Sequence, residues 1–218
     1  ALAADGRFAS VRNKLISNNS VDLNGSVTDA GLFVNWAFLY QLDPSTPADA
    51  GIDQYDFTAV LFHEFTHALG IGSEMYGLVP TDRFGNGMGS AGTWSKWDQY
   101  LTDCQGGRVI NPATLEIDMP TLTAARTKGC FDGANGVAAY GALLPLYANV
   151  DLSHLDEALL PTSMMGPEAA PGPEIRSWLP LEVGVLKDLG YAAVPEPASY
   201  ALLLTGLGLM TTVLRRAR

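Results

Sequence analysis

Histidine is scarce in this 218-residue chain, with three copies, and cysteine is scarcer still, with two. Two cysteines, Cys104 and Cys130, exclude a four-cysteine zinc site and a disulfide-dense miniprotein. Basic residues are also few, 13 Lys and Arg against 23 Asp and Glu, for a formal charge of −10. Three of those bases, Arg215, Arg216 and Arg218, sit at the very end of the chain. The body is therefore more acidic than the total suggests. It lacks the cations that displace counterions from phosphate, which excludes nucleic acid as a partner class. Charged residues are only 17% of the chain and hydrophobic ones 47%. That composition supports a packed core rather than disorder, and the length suits one domain of ordinary size.

No basic stretch followed by an apolar one opens the chain at Ala1, so a signal peptide, if there was one, is expected to have been removed or to lie outside this sequence. The other end is richer. Residues 198–214 carry no charge, and arginines follow directly. As a helix this run is roughly 25 Å long, slightly short of a ~30 Å hydrocarbon core. It reads as a membrane anchor or a buried C-terminal helix, and arginines after it favour a cytoplasmic C-terminus. Pro195, Glu196 and Pro197 stand immediately before it. This order of proline-flanked acid, apolar helix and basic end resembles the PEP-CTERM sorting signal of Gram-negative bacteria. The resemblance implies recognition by an exosortase-type processing enzyme, transient anchoring in the inner membrane through residues 198–214, and work at the cell surface or outside the cell. A plain tail anchor is the alternative.

Along the body, residues 6–17 read as a short amphipathic helix and 18–27 as a polar loop. Residues 30–39 are apolar and aromatic and suit a strand, followed by a Pro- and Gly-containing loop over 43–53. Residues 55–69 have no Gly or Pro and show helical spacing. Asp53 or Asp56 could cap that helix and Gly70 could end it. Residues 71–150 read as irregular, with short apolar stretches such as 138–147. The 82–87 segment is a turn rather than a calcium loop, since it lacks regular oxygen spacing and a closing Glu. A last helix is expected over 180–190, with Pro180 near its start.

His63-Glu64-Phe65-Thr66-His67 is an H-E-x-x-H sequence on the 55–69 helix. Residues four apart share a helix face, so two imidazoles can reach one zinc at about 2.0–2.1 Å. Glu64 is then placed to take a proton from a water whose pKa the metal lowers toward ~7. In a chain this poor in histidine the pattern arises by chance about once in a thousand sequences. The bland alternative is a core helix with two incidental histidines. A catalytic zinc needs a third protein ligand, and the remaining histidine is His154. Glu74 competes but lies too close to the helix end, so His154 is favoured.

His63 to Gly70 resembles the zinc helix of metzincin metalloproteases. The short metzincin signature would need His or Asp where Ser73 stands. The leishmanolysin-like branch instead places its third His far downstream after a Ser, with the Met-turn methionine eleven residues on; Ser153-His154 and Met165 reproduce this, with Leu155 replacing Trp. The chain also resembles H-E-x-x-H metalloproteases with PEP-CTERM tails, whose zinc helix follows an Asn-Trp and Asp-Pro stretch; compare Asn35-Trp36 and Asp43-Pro44. The resemblance implies an α+β metzincin-like domain over 1–190, a linker over 191–197 and a sorting tail over 198–218. It implies one catalytic Zn²⁺ on His63, His67 and His154, Glu64 as general base, Met165 as a floor beneath the metal, and a peptide or protein substrate. Two departures accompany it: only 62 residues precede His63, and no Tyr closely follows Met165.

Two further expectations concern the body. In an exported chain Cys104 and Cys130 are expected to pair. Residues 31–36 could be the edge strand that receives an extended substrate. The competing function is a non-catalytic surface or matrix protein on the same scaffold.

Overall fold

The computed structural model describes residues 9–22, 25–75, 94–114, 116–149 and 152–191. The expected turn at 82–87, the Pro195-Glu196-Pro197 motif and the apolar run 198–214 lie outside the described residues. The architecture is mixed, with five α-helices, two short 3-10 helices and five short strands among the described residues. Helix α1 spans Ala9–Ile16, α2 Phe57–Ala68, α3 Met119–Thr127, α4 Ala134–Tyr140 and α5 Pro180–Asp188. Strands β1 (Leu39–Gln41) and β2 (Gln54–Asp56) pair in parallel. Strands β3 (Leu101–Thr102), β4 (Cys130–Phe131) and β5 (Leu144–Pro145) form an antiparallel sheet in that order. None of the described helices is long and apolar enough to cross a membrane.

Helix α2 forms as its sequence demands. The Asp56 carboxylate accepts the Ala59 N–H at 3.0 Å, a side-chain N-cap. Gly70, at φ +110°, ends the helix by donating its N–H to His67 O at 2.8 Å. Asp56 is almost fully buried and also holds Arg176 at 2.7 Å, which ties the helix start to the chain before α5. Arg176 and several hydrogen bonds hold the Asp56 carboxyl below its ordinary pKa against the opposing effect of burial.

Residues 30–38 do not form the expected strand; the strand is only Leu39–Gln41. The Asn35 side chain accepts the Ala37 N–H, and Asn35 O accepts the Phe38 N–H. That Asn-closed turn breaks the run. Phe33 is 97% exposed, so the apolar segment is not a half-buried strand. The idea that 31–36 receives substrate as an edge strand falls with it.

The middle of the chain is also more regular than expected, since α3, α4 and β3–β5 all lie within 71–150. Trp97 stacks on Phe131 with ring centroids 4.6 Å apart, at the centre of a core that takes in Leu101, Leu144, Leu155, Met165 and Leu189. Helix α4 lies tight against α5. A Cβ on Gly184 would stand 2.6 Å from Asn135 O, so only glycine permits that approach. Cys104 and Cys130 form a disulfide, closing a separation of 26 residues. Chain entropy makes such a bridge worth about 3.5 kcal/mol.

Candidate metal centre

The three histidines converge. His63 and His67 face the same way from α2, and His154 arrives from a loop after β5, next to the isolated Leu146–Leu155 bridge. Backbone bonds fix that segment on both sides: Tyr147 N donates to His154 O at 3.0 Å, and Leu155 N to Met165 O at 2.8 Å. His67 Nε2 lies 3.1 Å from His63 Nε2 and 3.2 Å from His154 Nε2. One ligand atom from each of the three lies within 4.8 Å of the others. Nitrogens bound tetrahedrally to one zinc at about 2.0–2.1 Å stand roughly 3.3–3.4 Å apart. The spacing fits a metal of that size.

The hydrogen bonds fit it too. His63 Nδ1 faces Met164 O at 2.8 Å, and His67 Nδ1 faces Ile71 O at 2.6 Å. A carbonyl oxygen only accepts, so each Nδ1 carries the proton and each Nε2 presents a lone pair. Two lone pairs 3.1 Å apart repel unless a cation lies between them. A proton is a poor occupant, because burial lowers the pKa of His63. A metal ion is the better match to this donor set.

Glu64 is exposed beside His63. Both line a cleft of about 300 Å³ whose far wall is the 161–175 segment. The lining includes Glu64, Glu157, Glu168 and Glu174 and no Lys or Arg. Met164 lines the cleft, while Met165 is fully buried in the core behind it. Glu74 is not among the metal-capable group, which among the described residues is the three histidines.

Two carboxylates that the sequence did not single out hold this arrangement. Asp98 is fully buried and accepts from Ser73 Oγ, Glu74 N, Ser95 N and Ser95 Oγ at 2.6–3.1 Å. It thereby fixes the turn after α2, whose Ser73 N donates in turn to Ser153 Oγ, next to His154. The neighbouring Trp97 Nε1 donates to Leu152 O at 2.9 Å, bracing a leucine held at φ +55° just before Ser153. The Ser95-x-x-Asp98 spacing, a reciprocal capping pattern, was the available signal. Glu182, fully buried at the start of α5, accepts from Ser163 Oγ and from the backbone of Met165 and Leu179.

Burial pushes Asp98 up to about 6 despite its hydrogen bonds. Between about pH 4 and 6 the unfolded chain has released a proton that the folded chain keeps. The stability that Asp98 contributes therefore falls as pH rises through that window and levels off above it. Asp98→Asn is expected to reduce that slope in denaturant unfolding measured at each pH, leaving the smaller contribution of Asp132, which burial also raises. It should also cost about 1–3 kcal/mol at pH 7, because an amide N–H₂ would face backbone donors. An unchanged pH profile would remove Asp98 as its source.

The C-terminal tail adds the remaining observation. Residues 193–218 match the PEP-CTERM protein-sorting motif. The match covers the Pro-Glu-Pro residues, the apolar run and the arginines. It marks an exported chain with a C-terminal membrane-anchoring signal, and it implies handling by an exosortase-type processing enzyme. No curated protein and no solved structure matches the chain.

Proposed function

We propose that the chain is an exported zinc endopeptidase whose metal is held by His63, His67 and His154. The reading rests on one observation: two carbonyl-fixed imidazoles and a third histidine converge with metal spacing beside the exposed Glu64 of an H-E-x-x-H helix. The likeness to leishmanolysin-like metzincins, through His63–Gly70, His154 and Met165, supports it. Bound zinc supplies Lewis acidity, bringing a water toward neutral pKa and polarising a scissile carbonyl. The residues do the rest. Ile71 O and Met164 O keep the Nε2 lone pairs aimed inward. Glu64 accepts the proton of the attacking water and delivers it to the leaving amine. The acidic lining of the cleft favours segments carrying Lys or Arg. The catalytic part would work at the cell surface or beyond, after transient anchoring through residues 198–214.

The test is zinc content per chain, followed by hydrolysis of a peptide library with and without chelator. One zinc, and chelator-sensitive cleavage enriched near basic residues, is the expected result. A chain that takes up no zinc would overturn the site. A zinc-loaded chain that leaves the library intact would point to the surface or matrix protein instead.

A further inference from the structure

One peptide unit stands between the histidine cluster and a buried carboxylate. Its carbonyl, Met164 O, accepts the Nδ1–H of His63 at 2.8 Å. Its N–H, on Met165, is shared between Glu182 Oε1 at 3.1 Å and Ser163 Oγ at 3.0 Å. The same Oε1 accepts from Ser163 Oγ at 2.7 Å, and Oε2 accepts the Leu179 N–H at 2.6 Å. Glu182 is 0% exposed. Every one of these partners is a neutral donor, and among the described residues no Lys or Arg pairs with Glu182. An anion buried with neutral partners alone is costly unless a positive charge lies within reach.

We propose that Glu182 is a positioning residue of the metal centre, acting on His63 through the 164–165 peptide, with the bound metal dication as its counter-charge. The proposal rests on the reading that the three histidines hold zinc. A carboxylate accepting from a peptide N–H polarises that peptide, so its carbonyl becomes a stronger acceptor. A stronger acceptor on Nδ1–H makes the opposite Nε2 a more basic ligand and holds the ring in plane. The bond to Leu179 N ties the same carboxylate to the first turn of α5, so that the helix start fixes the loop that aims His63. The sequence hints at this only as Leu179-Pro180-Leu181-Glu182, where a glutamate three residues into a helix can reach back to its start.

The experiment uses the full chain. Zinc affinity is measured by chelator competition for wild type, Glu182→Gln and Ser163→Ala, alongside cobalt substitution and its visible spectrum, at a temperature where each is folded by circular dichroism. Glu182→Gln is expected to weaken zinc about 10- to 100-fold and to shift the cobalt bands. Ser163→Ala removes the neutral acceptor of the Met165 N–H but leaves the carboxylate on it, and is expected to stay within about threefold of wild type. Folded Glu182→Gln with wild-type affinity and spectrum would overturn the proposal. So would equal losses in both variants, which would mean a general loosening of the turn. If Glu182→Gln does not fold, Glu182→Asp decides, since it keeps the charge but draws it back from Met165 N–H. Weaker zinc then supports the proposal and unchanged zinc overturns it. A wild type that binds no zinc would defeat the three-histidine reading itself, a result distinguishable from any of these.

Discussion

Glu64→Gln is expected to lower kcat for peptide hydrolysis by about 10²- to 10⁴-fold, the range a positioned general base supplies, while one zinc stays bound. The expectation follows from where the residue sits. Glu64 projects from α2 next to His63 and lines the cleft with it. Glutamine matches its shape and can still accept a hydrogen bond, but it cannot take a proton at neutral pH. His63 and His67 draw their orientation from Met164 O and Ile71 O, and neither bond involves position 64. Metal content and folding should therefore match wild type, and KM should change little. Undiminished hydrolysis by this variant would take Glu64 out of the mechanism.

His154→Ala should show the opposite pattern, with metal lost first. A structural zinc site of four ligands binds with roughly 10–16 kcal/mol, or about 3 kcal/mol per ligand. Removing one ligand then weakens zinc about 100-fold or more. Truncation of His154 leaves the backbone bonds of Tyr147 N to His154 O and Leu155 N to Met165 O in place, since neither uses the side chain. The fold should survive, and unfolding in the presence of chelator should resemble wild type. Zinc affinity unmoved by the substitution would move the third ligand elsewhere.

Legibility from sequence varied with how local the deciding physics is. Helix α2 was readable because its cap, its spacing and its terminal Gly70 all lie within the segment. Helix α5 was readable through Pro180 and its apolar pattern. Helices α3 and α4 were not. The first carries Thr121, Thr123 and Thr127, and the second has Gly136 in its interior. Gly136 weakens a helix in isolation, yet here it lets α4 sit close to Val185 on α5. Packing between helices outweighed propensity, and no local pattern records that. Residues 30–39 misled for the converse reason: their apolar content suggested burial, but one Asn-closed turn sent much of it to the surface. At the site, the three histidines could be found by counting because there are only three. Asp98 and Glu182 left only faint local hints, the capping spacings from Ser95 and from Leu179, in a chain with 23 acids. What sets them apart is burial, which only the fold decides.

The carbonyls that aim His63 and His67 come from very different distances along the chain. His67 is held by Ile71, four residues on and just past the end of its own helix. His63 is held by Met164, 101 residues away. The first contact can form as soon as α2 ends in a turn; the second must wait for the whole domain, as must the arrival of His154. Contacts of such long sequence separation close late in folding. A partly folded chain therefore offers a metal one aimed imidazole rather than the assembled three-histidine set. On the proposed function, this delay would act as a safeguard: the metal set is complete only once the 164–165 loop and His154 have closed on α2.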